Sequence, residues 1–181
     1  MPRIRALVVA ALAPCALAGC GGAMVEPTAE VRQGQRQVLV SSADTTLDES
    51  GLSRSDRTNC LARGDEGKVG FACLIRFTMP ETDAPVSRAW LELRVLNPSP
   101  QTFDVHPALA NWSEEQASWQ NRVVDKPWQV AGAKGESDRG PKLGELTAPK
   151  QGVVKLAFDD AGLELVRAWL RDPSTHRGIL I

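Results

Sequence analysis

Tyrosine is absent from this chain and histidine occurs only twice. Without tyrosine, aromatic packing rests on five tryptophans and four phenylalanines. The two histidines, His106 and His176, fall in no Ser-His-Asp order and no HExxH motif, which leaves little from which to assemble a hydrolase or zinc protease site. Long basic runs are missing too, and the formal net charge is −1, which argues against a nucleic-acid partner. No repeat with a period of roughly 20 to 50 residues is visible, so a solenoid or propeller is not expected. With 43% hydrophobic and 24% charged residues, the composition is that of an ordinary globular chain rather than a disordered one. The length of 181 residues favours one domain plus a tail.

The tail is N-terminal. Arg3 and Arg5 precede a short apolar run, Ala6 to Ala18, interrupted by Pro14 and Cys15. The run is too short for a mature transmembrane helix and has the form of a secretory signal. It ends in Leu17-Ala18-Gly19-Cys20, which resembles the bacterial lipobox. That resemblance implies cleavage before Cys20 and lipidation of its thiol and amine, and several acyl chains hold a protein at a membrane where one would not. Residues 1–19 are therefore expected to be a lipoprotein signal peptide, and residues 20–36 a flexible tether to a domain spanning 37–181. Arg3 and Arg5 are the only charges in the signal, so the remaining chain has a formal charge of −3. Gly21 stands where an inner-membrane retention signal would place aspartate, so the expected address is the outer membrane or cell surface of a bacterial envelope. Cys60 and Cys73 then remain as an even pair in an oxidising compartment, and a disulfide between them follows.

Beyond the tether, apolar runs are short and turn residues frequent. Strands are predicted at 37–47, 60–63, 71–78, 86–96, 102–106, 152–158 and from Gly178 onward, with a further short one at 128–131. The alternation is cleanest in 86–96. Ala89, Leu91, Leu93 and Val95 form one face, and Arg88, Trp90, Glu92 and Arg94 the other. Asp159 or Asp160 can cap a helix carrying Leu163, Val166, Trp169 and Leu170 at helical spacing, with Pro173 after it. The last strand begins where the sequence stops, so either it is short or the domain continues in a longer chain. Many short strands and one short helix near the C-terminus predict an all-β fold, an antiparallel β-sandwich of jelly-roll type.

Residues 111–122, Asn-Trp-Ser-Glu-Glu-Gln-Ala-Ser-Trp-Gln-Asn-Arg, fit none of these patterns. Trp112 and Trp119 are seven apart, yet within the stretch no second apolar residue at i+3 or i+4 shares a helix face with them. A crossing loop that drops two rings into a core built elsewhere is the expected arrangement, with a short exposed helix as the alternative.

Several short motifs occur in one order. They are Ala43-Asp44-Thr45, Arg76-Phe77, Ser87-Arg88-Ala89, Trp112-Ser113-Glu114 with Trp119-Gln120-Asn121, Val166-Arg167-Ala168-Trp169, and Gly178-Ile179-Leu180. As a set they resemble the DNRLRE domain, a group related to carbohydrate-binding module family 96, over residues 38–181. The chain departs from that pattern in its Cys60/Cys73 pair, in Arg122 where proline often follows the asparagine, and in lacking Asn-Tyr-Gly before Cys60. The resemblance implies a non-catalytic β-sandwich accompanying polysaccharide-active or cell-surface proteins, some relatives looking like binders of acidic polysaccharides. Trp112, Ser113, Glu114, Trp119, Asn121 and Trp169 would then be structural.

Binding chemistry is sought in the remaining aromatic and cationic residues. Trp90 with Arg88, Arg94 and Arg76 would offer a ring to the apolar face of a sugar and guanidinium forks to a uronate carboxylate. The other reading of Trp90 is a ring paired with a neighbouring strand, its arginines merely solvating the face around Glu92. Trp128 sits in a glycine-rich loop, where it is either a second platform or a lid on the core. Glu114 and Glu115 are adjacent in one loop and poorly placed to flank a scissile bond, so no catalytic residue is assigned. Asp44, Asp48, Asp56 and Asp65 are loosely spaced candidates for calcium, without an EF-hand pattern; no other cofactor is expected. The functional expectation is a polysaccharide-binding envelope lipoprotein. The alternative is a structural or adhesive surface lipoprotein whose sandwich contacts another protein or envelope component.

Overall fold

The computed structural model describes residues 7–12, 35–51, 60–63 and 70–181. Ten strands and one α-helix follow in order: β1 (Leu7–Leu12), β2 (Gln35–Asp48), β3 (Phe71–Phe77), β4 (Val86–Val95), β5 (Ser99–Pro107), β6 (Asn121–Val123), β7 (Lys126–Pro127), β8 (Gly144–Ala148), β9 (Gly152–Ala157), α1 (Asp160–Arg171) and β10 (Ile179–Leu180). All ladders are antiparallel, in the order β8-β5-β10-β3-β2-β1-β4-β9, with β6 and β7 forming a separate ribbon.

The long strand β2 serves both layers. Its first half, from Gln35 to Val40, pairs with β1, and its second half, from Ser41, pairs with β3 after an irregularity at Ser41/Ala43. A bulge of this kind bends and twists a strand, allowing it to pass from one sheet to the next. The result is a β-sandwich of β8-β5-β10-β3-β2 against β2-β1-β4-β9. A turn at 149–151 joins β8 to β9, yet among the described residues the two share no ladder, so the sheets do not close into a barrel.

Strand alternation divides the side chains as expected. Ala89 and Leu91 of β4 are buried between the sheets while Arg88 and Arg94 are exposed on the other face. They meet Cys73, Ile75, Phe77, Val105 and Ile179 from the opposite sheet in one continuous core. The helix covers one end of it. Asp159 caps α1 by accepting from the Gly162 amide at 2.9 Å, and Val166, Trp169 and Leu170 are buried at i, i+3 and i+4 against the sheets. A second core lies on the outer face of β2, β3 and β10. There Leu47, Leu74 and Leu180 pack against Trp112, Trp119 and Trp128 of the segment that crosses them. Residues 111–120 contain no helix, so the crossing-loop arrangement is the one adopted.

Several expected elements differ. Cys60 to Arg63 is not a strand; its one bridge joins Arg63 to Phe71. The Leu61 amide is taken by Thr46 Oγ1 at 2.9 Å, which removes it from any ladder. The cysteines nonetheless meet in the disulfide Cys60–Cys73, both half-cystines buried in the core between the sheets. Trp128 to Ala131 is a turn, because the Gln129 and Val130 amides both donate to the Asp138 carboxylate at 3.0 Å. Strand β5 begins at Ser99, earlier than expected, since Pro100 falls in an irregularity between Ser99 and Thr102 where no ladder amide is needed. Strand β8 was hidden in a stretch rich in glycine, proline and lysine, where only Leu146 is apolar and buried.

Six residues of the expected signal peptide are among those described. Leu7–Leu12 is a strand paired to β2 on one side and β4 on the other. The lipobox, Cys20 and most of the tether lie outside the described residues. Among the described residues no helix is long and apolar enough to cross a membrane.

Candidate binding site

The residues sought as a single platform are not brought together. Arg88, Trp90 and Arg94 share the outer face of β4. Trp90 is half-buried, paired in register between Val9 of β1 and Ala157 of β9. Arg36 and Lys155 approach its ring at 5.6 and 5.9 Å from the centroid. Both cations also face Glu92, Lys155 at 3.0 Å and Arg36 at 3.7 Å. The Lys155 hydrogen bond, reinforced by charge, holds the Glu92 carboxyl below the usual carboxylate range. This strip is therefore a cross-strand charge cluster with a ring in it. Arg76 belongs to the other sheet, where its guanidinium stacks on Trp112. Trp128 is 4% exposed and donates its indole N–H to the Ser118 carbonyl at 2.9 Å, so its ring is a lid on the second core.

The motif residues of the crossing segment are held from several elements. Trp112 donates its indole N–H to Arg177 O at 2.6 Å. Glu114 accepts from the Asp44 amide of β2 at 3.2 Å, which ties the segment to the sheet. Ser113 donates its amide to Arg122 O, and the Asn121 amide donates to Ser118 Oγ, both at 3.1 Å. Trp119 is buried against Gly70 and Gly132. Trp169 packs in the inter-sheet core with His176 edge-on at 4.6 Å. Burial, with the nearby Arg76 and Arg177 charges, lowers the His176 pKa to about 4.

An open cleft of about 580 Å³ lies elsewhere, over the outer face of β5 and β8. Alternation places Thr102, Asp104 and His106 of β5 opposite to Val105, and Glu145 of β8 opposite to Leu146, so the outer face here is polar. The facing wall comes from the loop after Trp128 and carries Lys134 and Arg139. Lys134 stands 4.9 Å from the Trp119 ring centroid. Among the described residues neither Lys134 nor Arg139 has a carboxylate partner, whereas Lys142 pairs with Glu145 at 2.7 Å and Asp104 at 3.4 Å. Asp104 and Glu145 are thereby partly neutralised, and Glu49, also in the lining, accepts from the Gly70 amide at 2.7 Å. His106 places Nδ1 2.9 Å from Gly140 O, and a proton on Nδ1 leaves Nε2 an acceptor.

One buried carboxylate shapes that wall. Asp138, 3% exposed, accepts from the amides of Gln129, Val130 and Gly135 at 3.0 to 3.1 Å. Gln129 in turn accepts from Ser137 N at 2.7 Å and Ser137 Oγ at 3.0 Å. Gly132, at φ +76°, lets the chain close over Trp119, since a Cβ there would lie 2.8 Å from the ring. Sequence reasoning did not single out Lys134, Asp138 or Arg139. The available signal was the stretch Gly132-Ala-Lys-Gly135-Glu-Ser-Asp138-Arg, a turn-forming run carrying two cations and two carboxylates.

Of the calcium candidates, Asp56 and Asp65 lie outside the described residues. Asp48 is buried and accepts from the Ser50 amide and hydroxyl at 2.9 and 2.6 Å. No group of three or more His, Cys, Asp or Glu side chains suited to a metal occurs among the described residues. No protein-family model, curated protein or solved structure matches the chain.

Proposed function

We propose that this protein is a non-catalytic envelope lipoprotein whose β-sandwich binds polysaccharide, acidic glycans included, in the cleft over β5 and β8. The observation that carries this reading is the cleft itself. It is wide, open and lined by hydroxyl, amide, carboxylate and cationic side chains, which suits a hydroxylated polymer better than an apolar ligand. Lys134 and Arg139 would meet carboxylates, Arg139 through two parallel N–H groups. The Trp119 edge and Phe103 supply the limited apolar surface that sugar C–H faces need. Anchoring through Cys20 rests on the lipobox-like tetrapeptide. The DNRLRE-like motif order agrees with a binding role, and placing the cleft on a rigid sheet agrees with how sites are commonly built.

Affinity electrophoresis of the protein against acidic and neutral polysaccharides tests this reading. Retention by at least one glycan is expected, with Lys134→Ala and Arg139→Ala weakening retention by acidic glycans and Trp90→Ala leaving it unchanged. No retention by any glycan would overturn the reading and favour the adhesive alternative. Incorporation of labelled palmitate in a bacterial host, lost in Cys20→Ala, tests the anchor.

A further inference from the structure

A second cavity, apolar and about 220 Å³, opens between the two sheets at the end away from α1. Leu93, Val95, Leu146 and Val154 line it from both layers, and the Cys60–Cys73 disulfide forms part of its wall. Asn97 and Ser99 supply polar groups to the same lining. The lining is mainly apolar, which suits a hydrocarbon chain better than a sugar. The cavity does not stand apart from the polar cleft. Ala62, Phe103 and Ile181 line both, so the two spaces adjoin along these side chains.

We infer that the two spaces serve one ligand class, an acylated saccharide, with the sugar part in the polar cleft and an aliphatic chain in the apolar cavity. This rests on the glycan reading of the cleft and adds the chain. Two features support it. The chemistry changes from hydrogen-bonding to hydrocarbon across Phe103, which alternation places on the inner face of β5 next to the outward Thr102 and Asp104. The cavity is also held open by covalent and sheet geometry. Cys73 is fixed in β3, Leu146 in β8 and Leu93 in β4, so collapse onto the void would require the sheets themselves to move.

The test uses the full chain and matched probes: octyl β-D-glucuronide below its micelle concentration, methyl β-D-glucuronide, and octanoate, read by isothermal calorimetry. The octyl glycoside is expected to bind at least about tenfold tighter than the methyl glycoside, since each buried methylene adds favourable transfer energy. Ala148→Leu and Val154→Phe, at positions that line the apolar cavity and not the polar cleft, are expected to abolish that advantage and leave methyl glycoside affinity unchanged. A thermal midpoint equal to or above that of the parent shows that the variants fold. Equal affinity for the octyl and methyl glycosides, or an octyl advantage that survives both substitutions, would overturn the inference and leave the glycan cleft standing. Binding of octanoate without either glucuronide would overturn the glycan reading, and with it the acylated saccharide, while leaving an aliphatic site.

Discussion

The guanidinium of Arg76 lies 4.4 Å from the ring centroid of Trp112 and donates to the carbonyl oxygen of that same residue at 2.8 Å. One side chain of β3 thus holds the crossing segment by its ring and its backbone at once. Burial and the neighbouring Arg177 charge lower the Arg76 pKa, with Glu114 opposing them. Arg76→Ala is expected to cost about 3 kcal/mol, from a charge-assisted hydrogen bond and a partly desolvated cation–π contact together. Arg76→Lys should recover only part of this, because an ammonium cannot stack flat and donate sideways in one pose. Urea unfolding midpoints of the two variants check both statements; an Arg76→Lys protein as stable as the parent would show that charge alone suffices.

Acid should destabilise the protein through His176. Its pKa is about 4 when folded against an ordinary 6.5, so the unfolded chain binds more protons between these values. Its contribution is complete above pH 6.5 and is lost as the pH falls toward 4, by about 3 kcal/mol in total. His176→Gln should flatten this part of the stability–pH curve relative to the parent. Parallel curves for the two proteins between pH 4 and 6.5 would contradict the assignment.

Asp138 should govern both the stability of the cleft wall and its affinity. Asp138→Ala leaves three amides without their acceptor, and a loss of about 2 kcal/mol is expected. Lys134 and Arg139 flank this carboxylate in sequence, so retention on an acidic glycan gel should fall even at temperatures where the variant is fully folded. Retention unchanged in the folded variant would separate the loop from the site.

Reduction of the disulfide should lower stability by about 3 kcal/mol, the chain-entropy value for a loop of this length. The two cysteines are 13 residues apart and both buried. Comparing the Cys60→Ser/Cys73→Ser protein with the parent by guanidinium unfolding measures it. Because the disulfide also walls the apolar cavity, octyl glucuronide affinity should fall in the same variant.

Loss of residues 1–19 should expose backbone on two strands. Strand β1 pairs with residues 35–40 of β2 and with 86–92 of β4. Hydrogen exchange of a chain beginning at Cys20 is expected to be faster than that of the full chain at these two segments and unchanged in β5 and β10. Equal protection would mean that β2 and β4 pair with each other once β1 is gone.

Much of the framework was legible because it depends on local period. The β4 pattern, a helix cap at Asp159 or Asp160 and the even pair Cys60 and Cys73 were legible in residue spacing and count, and the structure places the cap at Asp159. Two expected strands were lost because their amides are claimed by side chains, Leu61 by Thr46 and Gln129 by Asp138, and a strand-length window of sequence contains neither partner. The candidate site was less legible. Trp90 and Trp128 were singled out for ring size and Arg88 and Arg94 for charge, while Lys134 and Arg139 stood in a loop with no periodic pattern to orient them.

The sequence by itself therefore determined the class of fold, the alternation that assigns each strand two faces, and the roles of Trp112, Trp119 and Trp169 as packing residues. Tertiary structure decided which of those faces stays open. The crossing segment covers the outer face of β2 and β3, burying Trp128, and leaves that of β5 and β8 uncovered. Exposure of a side chain depends on which distant part of the chain lies over it, and that is settled by burial of the three indole rings as a group, not by the residues beside each one.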